Sequence, residues 1–246
     1  NQLVLSGNHA VLSALQNKHR KLHYLVSTKS HYIQWEKSIK DLGLKTEIKI
    51  KTKDQLDIIN NFKPHQNVIL ITEPLKRISL DEFLIEKQFI SKQPLRIIIL
   101  DQVTDPQNVG AIIRSAYAFK MDALALSQTN SPIESIGMSK ASSGTIEKLK
   151  IIELSNMSRA IRKLQDANFH VYGLANGGYG SVLDLEKEDG NVAVIVGSEG
   201  KGLRRLTREK VDQLLKIPIN PDSESLNVSN AASISMFQLQ KNIIKN

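Results

Sequence analysis

Three polar loops carry the residues of this chain whose types and spacing could do chemistry. The first loop follows the apolar run RIIIL and holds Asn108, and a mostly apolar helix after it carries Arg114. We place Arg114 about one turn inside that helix, where a further cation is mildly unfavourable unless an anion meets it. The pattern therefore predicts an anion-binding loop. Two alternatives stay open: Arg114 can snorkel to solvent or pair with an acid, and Asn108 can be a turn residue or a helix cap.

The second loop, GSEGKGL over 197–203, follows the apolar run NVAVIV and precedes a helix-like stretch over 203–215. Its three glycines allow the backbone to approach a ligand closely. The spacing G-x-x-G-x-G matches neither the dinucleotide fingerprint nor the Walker pattern, so a dinucleotide or a nucleoside triphosphate is not indicated. Glu199 in this loop has two interpretations, an exposed acid at a helix start or a buried acid facing Arg114.

The third loop lies between the run LLKIPI and an apolar C-terminal helix, and it is rich in neutral polar residues: Ser223, Ser225, Asn227, Ser229 and Asn230. Capping a helix needs one such residue, not five. The surplus of donors and acceptors favours recognition of an adenine, a ribose or a bound main chain. A solvated Ser/Asn-rich turn is the alternative.

The elements that position these loops alternate between strand-like and helix-like runs. Residues 1–75 read as a small α/β unit, and 76–95 read as a structured linker with one amphipathic helix. From 96 onward strand and helix alternate regularly, which predicts a mainly parallel sheet, and Pro132 predicts a helix start within it. Ligands bind outside the carboxyl ends of such strands, where the three loops lie. From the pattern alone we expect an unknotted doubly wound α/β sheet.

The charge balance points to a polyanionic partner. The 246 residues carry a formal net charge of +8, with a sequence pI near 9.5. Lysines and arginines that neutralise phosphates release counterions, so nucleic acid outranks a small acidic substrate. Residues 1–75 hold 11 basic and 6 acidic side chains, so this third of the chain carries most of the excess.

Several function classes are excluded by composition. The chain has no cysteine, which rules out disulfides, thiolate zinc sites and cysteine nucleophiles and agrees with a cytoplasmic location. No apolar run approaches the roughly 20 residues that cross a bilayer, so we expect no membrane association. His19 and His23 have helical metal-ligand spacing, but their basic surroundings favour a phosphate-facing surface and we expect no metal. The chain begins at Asn1 without a methionine, which leaves a preceding leader segment open.

Taken together, NVGAIIRSA, IVGSEGKGL and IPINPDSESLNVSNAASI resemble the three ordered motifs of the SpoU-type RNA ribose 2′-O-methyltransferases of the SPOUT superfamily. The resemblance covers residues 96–246. Residues 1–75 resemble the small ribosomal-protein-like domain that binds substrate in the RlmB-type large-subunit rRNA guanosine methyltransferases. VTDPQNVGAIIRSA and GLRRLTRE are especially similar to that subgroup.

The resemblance implies a homodimer that uses S-adenosylmethionine without metal, and a C-terminal trefoil knot that replaces the unknotted sheet expected above. It implies a reactive group consisting of Arg114, Asn108, Glu199, Ser225 and Asn227. It also implies contacts to the methyl donor, largely through backbone groups, from Ala175, Gly197, Ile217, Ile219 and Leu226. The implied substrate is large-subunit rRNA, methylated on a guanosine ribose.

The chemistry that this resemblance implies needs alignment of a ribose hydroxyl with the donor methyl and control of one proton. Because an arginine is effectively always charged, we prefer that Arg114 stabilises the developing oxyanion and clamps a phosphate; proton transfer to Arg114 is the alternative. A tRNA methyltransferase and a non-catalytic RNA-binding or ribosome-assembly factor are the rival functions. A nucleotide-dependent oxidoreductase is disfavoured by the glycine spacing.

Overall fold

The computed structural model describes residues 2–90, 93–128 and 134–240, with backbone only at 88–90. The chain divides into two compact units. Unit 1 consists of Asn1–Lys76 with Ile133–Lys148, and unit 2 consists of Arg77–Pro132 with Leu149–Asn246. The domain boundaries expected from the sequence had placed the segment 133–148 with the methyltransferase domain, whereas the structure groups it with the N-terminal residues.

Unit 1 contains a mixed four-stranded sheet in the order β1-β4-β2-β3, in which β2 and β3 are parallel and β4 is antiparallel to both of its neighbours. Its strands are β1 (Leu3–Ser6), β2 (Leu22–Ser27), β3 (Glu47–Ile50) and β4 (Val68–Thr72), and the helices among them are α1 (Asn8–Gln16), α2 (Tyr32–Asp41) and α3 (Lys53–Ile59).

The core of unit 1 follows from two sequence periods. On α1, Val11, Ala14 and Leu15 recur at helical spacing and are all buried. They pack in one cluster with Val68 and Leu70, which alternate on the same face of β4. Every residue of β4 is buried, as expected for a central strand with both faces covered.

Unit 2 contains an eight-stranded sheet, in the order β10-β12-β9-β11-β6-β7-β8-β5, in which every pairing is parallel. The strands are β5 (Ile78–Ser79), β6 (Arg96–Asp101), β7 (Ala123–Ser127), β8 (Lys150–Leu154), β9 (Phe169–Leu174), β10 (Gly180–Ser181), β11 (Asn191–Gly197) and β12 (Gln213–Lys216). The predicted parallel α/β sheet is confirmed, and the near-continuous apolar runs arise because helices cover both faces. The trefoil knot stays a prediction.

The remaining helices are α4 (Leu80–Ile90), α5 (Pro106–Ala118), α6 (Ile136–Ala141), α7 (Met157–Asp166), α8 (Arg205–Lys210) and α9 (Val228–Gln240). Helix α7 is capped by Asn156, whose Oδ1 accepts a hydrogen bond from the Arg159 N–H at 2.9 Å. Asn168 follows that helix in the left-handed conformation, with φ of 59°. The helix start predicted at Pro132 lies outside the described residues. No helix in the described ranges is long and apolar enough to cross a membrane.

Two stretches differ from the sequence expectation. The predicted linker 76–95 is part of unit 2, because β5 pairs with β8 and the fully buried Phe83 of α4 belongs to the main core. The helix-like stretch 203–215 ends as a helix at Lys210, and β12 begins at Gln213. The apolar residues at its end pair with β9, so tertiary pairing overrides the local helical pattern.

A buried ion-pair cluster explains why the segment after β7 belongs to unit 1. The Arg20 guanidinium, fully buried, contacts the carboxylates of Glu134 and Glu147. Glu134 also accepts the Leu75 N–H at 2.8 Å, and Glu147 accepts Asn17 Nδ2 at 2.8 Å. Burial lowers the pKa of Arg20, but its hydrogen bonds and attraction to the two carboxylates outweigh that effect and raise the pKa overall. The segment is therefore held to the N-terminal residues by charges that are costly to separate.

Candidate functional site

Three loops at the carboxyl ends of β9, β11 and β12 enclose a cavity of about 360 Å³ in unit 2. Its walls come from segments 174–177 and 196–203, from Ile217 and Ile219, and from 224–231. This is the edge of the parallel sheet at which the sequence predicted a ligand. The volume falls within the range of sites for small molecules and cofactors.

The glycine loop forms a tight turn beside the last residue of β11. Gly202 donates its N–H to the Ser198 carbonyl at 2.8 Å, and these two residues form an isolated bridge. A Cβ on Gly197 would collide with the backbone of Gly202 and Leu203. Glycine is thus required at 197 by the close approach of two backbone segments, which lets main-chain groups line the cavity.

At the cavity, Glu199 joins a hydrogen-bonded cluster with Asn108, which follows β6, and Asn227, which follows β12. The Glu199 Oε1 accepts a hydrogen bond from Asn108 Nδ2 at 3.2 Å and one from Asn227 Nδ2 at 2.5 Å. Asn227 Nδ2 also donates to Asn108 Oδ1 at 3.1 Å. A carboxylate held by two amide donors on neighbouring helices can accept or orient a further hydrogen-bond donor at the cavity.

Of the two asparagines, Asn227 caps a helix and Asn108 does not. The side chain of Asp105, rather than Asn108, caps α5 by accepting the Gln107 N–H at 3.0 Å. Asn227 Oδ1 does accept the N–H of Ser229 at 2.8 Å, which satisfies the first turn of α9, while its Nδ2 reaches the cluster. Asn227 therefore caps the helix with its amide oxygen and joins the cluster with its amide nitrogen.

Arg114 lies away from this cluster, and its predicted position about one turn inside the helix is wrong. It is the ninth residue of α5, well past the first turn, so the partial charge of the helix N-terminus does not act on it. It lies six residues beyond Asn108, about 9 Å along the helix axis and roughly 120° around it. Within the described residues its exposed guanidinium has no hydrogen bond or ion pair and does not line the cavity.

The buried Glu199–Arg114 pair considered as an alternative is also wrong. Glu199 is exposed, and its partners are the amides of Asn108 and Asn227 together with the Val228 N–H at 3.5 Å. The polar loop end places the carboxylate at the rim of the cavity. Arg114 therefore does not neutralise the Glu199 carboxylate within the described residues.

The other residues singled out in the sequence converge on the cavity. Ser225 lines it beside Glu199. All five positions expected to contact a methyl donor are in its wall, namely Ala175, Gly197, Ile217, Ile219 and Leu226. The structure thus brings nine of the ten residues to one place, either in the wall or bonded to it, and leaves Arg114 on the outer surface of α5.

Sequence reasoning missed a buried network beneath the glycine loop. Asp101, the last residue of β6, is fully buried and pairs directly across from Gly197. Its carboxylate accepts Arg204 Nε at 2.7 Å and the Thr207 hydroxyl at 2.7 Å. These bonds fasten the residues after the loop to the strand before it. An acid ending an otherwise apolar strand was the available signal.

The cavity wall also contains charged residues of both signs: Glu199, Glu224, Lys201 and Arg208. No group of three or more histidine or carboxylate side chains in the described ranges could hold a metal ion. His19 lies in a turn and His23 on β2, so the two do not share a helix face.

Comparison with known proteins identifies the class that this fold and site define. Residues 95–237, more than half of the chain, match the SpoU rRNA methylase family, and residues 4–77 match the substrate-binding domain of RNA 2′-O ribose methyltransferases. The chain therefore belongs to the SpoU family of RNA methyltransferases, as the three motifs indicated.

Two similar proteins carry names that specify the RNA substrate. A protein of Staphylococcus epidermidis named as a TrmH-family tRNA/rRNA methyltransferase is 32% identical over 97% of this chain and 95% of its own. The 23S rRNA (guanosine-2′-O-)-methyltransferase RlmB of Xanthomonas campestris is 39% identical over 58% of this chain and 57% of its own.

Two solved structures share the fold. The SpoU methyltransferase AviRb of Streptomyces viridochromogenes, in complex with AdoMet, aligns with a TM-score of 0.82 at 18% identity, over all of this chain and 91% of that one. An AdoMet-bound rRNA methyltransferase of Sinorhizobium meliloti aligns with a TM-score of 0.81 at 21% identity, over 99% of this chain and 88% of that one.

Proposed function

We propose that this protein transfers a methyl group from S-adenosylmethionine to the ribose 2′-hydroxyl of a guanosine in large-subunit rRNA. The observation that carries the proposal is the Asn108–Glu199–Asn227 cluster, which joins one residue of each family motif at the rim of a cavity lined by the second and third motifs. A donor in the cavity and a hydroxyl at the cluster would be held next to each other, which is the main requirement of a transfer between two bound molecules.

The cavity suits the methyl donor chemically. Its apolar wall, from Leu174, Ile217, Ile219 and Leu226, suits an adenine ring, and the backbone of the glycine loop offers hydrogen-bonding groups. The carboxylates and cations at the rim suit the charged amino-acid end of the donor. When bound, S-adenosylmethionine supplies the methyl group from a positively charged sulfur. AdoMet-bound neighbours of the same fold support this assignment.

The side chains of this protein position the RNA and stabilise the charge that develops during the transfer. Glu199, fixed by two amides, orients the ribose at the cavity, and Ser225 provides a further hydroxyl there. Arg114, exposed and without a partner in the described part of the chain, addresses the RNA, where its guanidinium clamps a phosphate and stabilises the oxyanion that develops on the ribose. Because arginine is a very weak acid, we assign it an electrostatic role rather than that of a proton acceptor.

Ribosomal RNA is favoured over tRNA by unit 1. Its match to a 2′-O ribose methyltransferase substrate-binding domain and its excess of basic residues support a dedicated surface for a large RNA. The RlmB relative supports guanosine in 23S rRNA. A tRNA substrate is the second candidate, because relatives that match nearly the whole chain carry the name tRNA/rRNA methyltransferase.

We also propose that the protein is a homodimer that acts in the cytoplasm. Helices α5 and α9 pack on each other, and each exposes an aromatic side chain, Tyr117 at 42% and Phe237 at 47%. Exposed aromatics on adjoining helices are common at interfaces. Sedimentation equilibrium should give twice the mass of the 246-residue chain; a monomer at micromolar concentration would contradict the dimer.

Primer-extension mapping of rRNA incubated with the protein and S-adenosylmethionine tests the proposed activity. We expect one stop at a guanosine of the large-subunit rRNA, dependent on the donor and absent with a Glu199→Ala variant. A parallel reaction with total tRNA distinguishes the second candidate. Methylation of tRNA alone would identify tRNA as the substrate instead of rRNA. The absence of methylation on both RNAs would contradict the proposed methyltransferase activity.

A further inference from the structure

The loop between α3 and β4 in unit 1 presents an aromatic ring to solvent from an unfavourable backbone conformation. Phe62 is 79% exposed and has a φ of 56°, in the left-handed region that bulky residues rarely adopt. Its neighbour Asn61 has a φ of 50°, and Gln66 and Asn67 also have positive φ. Asparagine tolerates this region, so the strained position among these residues is that of the bulky Phe62.

The end of α3 shows how the ring is turned outward. The Phe62 N–H donates to the Asp57 carbonyl at 2.7 Å and the Asn61 N–H donates to the Ile58 carbonyl at 3.2 Å, which is the hydrogen-bond pattern of a Schellman motif. In that motif the residue at the position of Phe62 usually packs back on the helix. Here the ring remains in solvent.

The loop is nevertheless rigid. The buried Asn60 amide donates to the Lys63 carbonyl at 2.7 Å. His65, also buried, bonds Asp57 Oδ1 through Nε2 at 3.1 Å and accepts the Asn67 N–H through Nδ1 at 3.0 Å. These hydrogen bonds fix the backbone that presents the exposed ring, and an exposed aromatic on a strained backbone position is a candidate binding residue.

Two lysines accompany the ring. Lys63 follows Phe62 directly, and Lys140 of α6 donates to the Pro64 carbonyl in the same loop. Because Lys63 precedes Pro64 in the chain, this contact brings the Lys140 ammonium to the residue next to Lys63. The pKa of Lys140 is lowered, first by partial burial and then by the positive charge of Lys63. Neither makes a salt bridge to a carboxylate within the described residues. An exposed aromatic ring on a loop that carries one lysine and is contacted by a second complements a nucleotide, which offers a base to stack and a phosphate to pair.

We propose that Phe62, with Lys63 and Lys140, forms a stacking platform that binds an unpaired nucleotide of the RNA substrate. The ring stacks on the base and the lysines contact the adjoining phosphates. A duplex keeps its bases inside, so the platform selects single-stranded or looped RNA. This inference rests on the proposed RNA substrate and adds where unit 1 holds it and in which conformation.

Fluorescence anisotropy with the full chain tests the platform, using a labelled twelve-nucleotide oligo(U) and a twelve-base-pair RNA duplex. Phe62→Ala should weaken oligo(U) binding about 5- to 100-fold, since stacking on an aromatic ring contributes that much per base, and should leave duplex binding within about twofold. Phe62→Tyr keeps the ring and should bind oligo(U) within about threefold of wild type. Ile33→Ala, which removes another highly exposed apolar side chain of unit 1, is the matched control and should change neither affinity.

Three further variants separate binding from structure. Lys63→Ala and Lys140→Ala should each reduce the slope of log affinity against log salt by about 0.7 for oligo(U). Phe62→Gly should raise the melting temperature, because glycine adopts positive φ freely, while it weakens oligo(U) binding as the alanine variant does. A purely structural role for Phe62 predicts no loss of RNA affinity in the variant that is more stable.

Unchanged oligo(U) binding by Phe62→Ala, or an equal loss for the duplex, would overturn the platform. A shift in sedimentation of Phe62→Ala without any change in RNA affinity would assign the ring to contact between copies of the chain and would also overturn it. Failure of the proposed function has a different signature: no methylation and no donor binding by calorimetry, with the Phe62 effect on oligo(U) intact.

Discussion

At the scale of single residues, one amide shows how structure and chemistry can share a side chain. Asn227 uses its oxygen to cap α9 and its nitrogen to hold Glu199 and Asn108. Replacing it with aspartate would keep the cap and replace the donor with an acceptor facing a carboxylate. The position therefore requires asparagine for the cluster, although several residues would satisfy the helix.

Arg114→Ala should reduce methyl transfer about 10²- to 10³-fold, because the charge to which we assign the RNA phosphate and the developing oxyanion is lost. Donor affinity should stay within a few fold, since Arg114 does not line the cavity in the described structure. Single-turnover assays at saturating RNA and donor isolate the transfer step, and calorimetry measures the donor.

Two companion variants sharpen this test. Arg114→Lys keeps a point charge without the planar fork, so partial activity indicates phosphate clamping, and very low activity indicates a strict geometric role. Arg162→Ala on α7 removes another exposed arginine of unit 2 and should have no effect on the transfer rate. If Arg114→Ala transfers methyl within about tenfold of wild type, the arginine is a solvent-exposed surface residue only.

The residues of the cavity could be predicted from the sequence because they follow apolar strands, whose carboxyl ends meet at one edge of a parallel sheet. Arg114 could not be placed, because its role was inferred from a helix start that lies a further turn away, at Pro106. The bonds among Asn108, Glu199 and Asn227 join residues up to 119 positions apart, and no local pattern encodes them. Asp101 was missed because an acidic residue after an apolar run marks the end of a strand in the sequence, and the sequence does not show that its side chain is buried.

At the scale of elements, the glycine loop is fastened at both ends. Gly197 pairs across from Asp101 in the sheet, and Asp101 binds Arg204 and Thr207 immediately after the loop. The loop over 198–203 thus closes on a buried carboxylate. Glu199 lies at its rim, so the geometry of the cluster depends on a residue that touches neither the cavity nor the cluster.

Asp101→Asn should lower the free energy of unfolding by about 1–3 kcal/mol, because a buried charge-assisted acceptor is replaced by an amide. It should also weaken donor binding, since the loop that lines the cavity loses its anchor. Thermal unfolding and a calorimetric titration with S-adenosylmethionine measure the two effects. Asp105→Asn is the matched control: asparagine caps a helix as well as aspartate does, so both quantities should remain near wild type. Normal donor affinity in Asp101→Asn would refute the anchoring role.

The segment over 134–148 poses a related question in unit 1. Arg20→Met leaves the carboxylates of Glu134 and Glu147 buried without their partner, which typically costs about 3–5 kcal/mol. Hydrogen–deuterium exchange should show faster exchange at residues 134–148, together with a lower midpoint of urea unfolding. Lys21→Ala, which removes a neighbouring exposed ion pair with Glu73, should change both far less. Unchanged exchange at 134–148 in Arg20→Met would show that other contacts hold the segment.

At the scale of the whole molecule, charge and cavity belong to different units. Residues 1–75 carry the larger part of the basic excess, whereas the cluster and the cavity lie in unit 2. Deleting residues 1–75 is a poor test of this division, because it would remove Arg20 from two buried carboxylates that remain in the chain. Neutralising exposed lysines leaves both units intact and removes their attraction to phosphate, both in direct contacts and at long range.

We therefore expect a quadruple variant of unit 1, with Lys18, Lys29, Lys45 and Lys53 changed to glutamine, to bind a large-subunit rRNA transcript more weakly and with less salt dependence. Each lost phosphate contact lowers the slope of log affinity against log salt by about 0.7–0.9, so the slope should fall by about 3 if all four contribute. Donor affinity should stay unchanged.

The matched variant of unit 2 replaces four exposed cations with glutamine, at Lys120, Arg162, Lys210 and Lys216. It removes the same formal charge, so an effect of net charge alone would appear equally in both variants. A salt slope that falls by the same amount in the two would show that unit 1 is no dedicated RNA surface, because long-range attraction depends on total charge while contacts depend on where the charge lies.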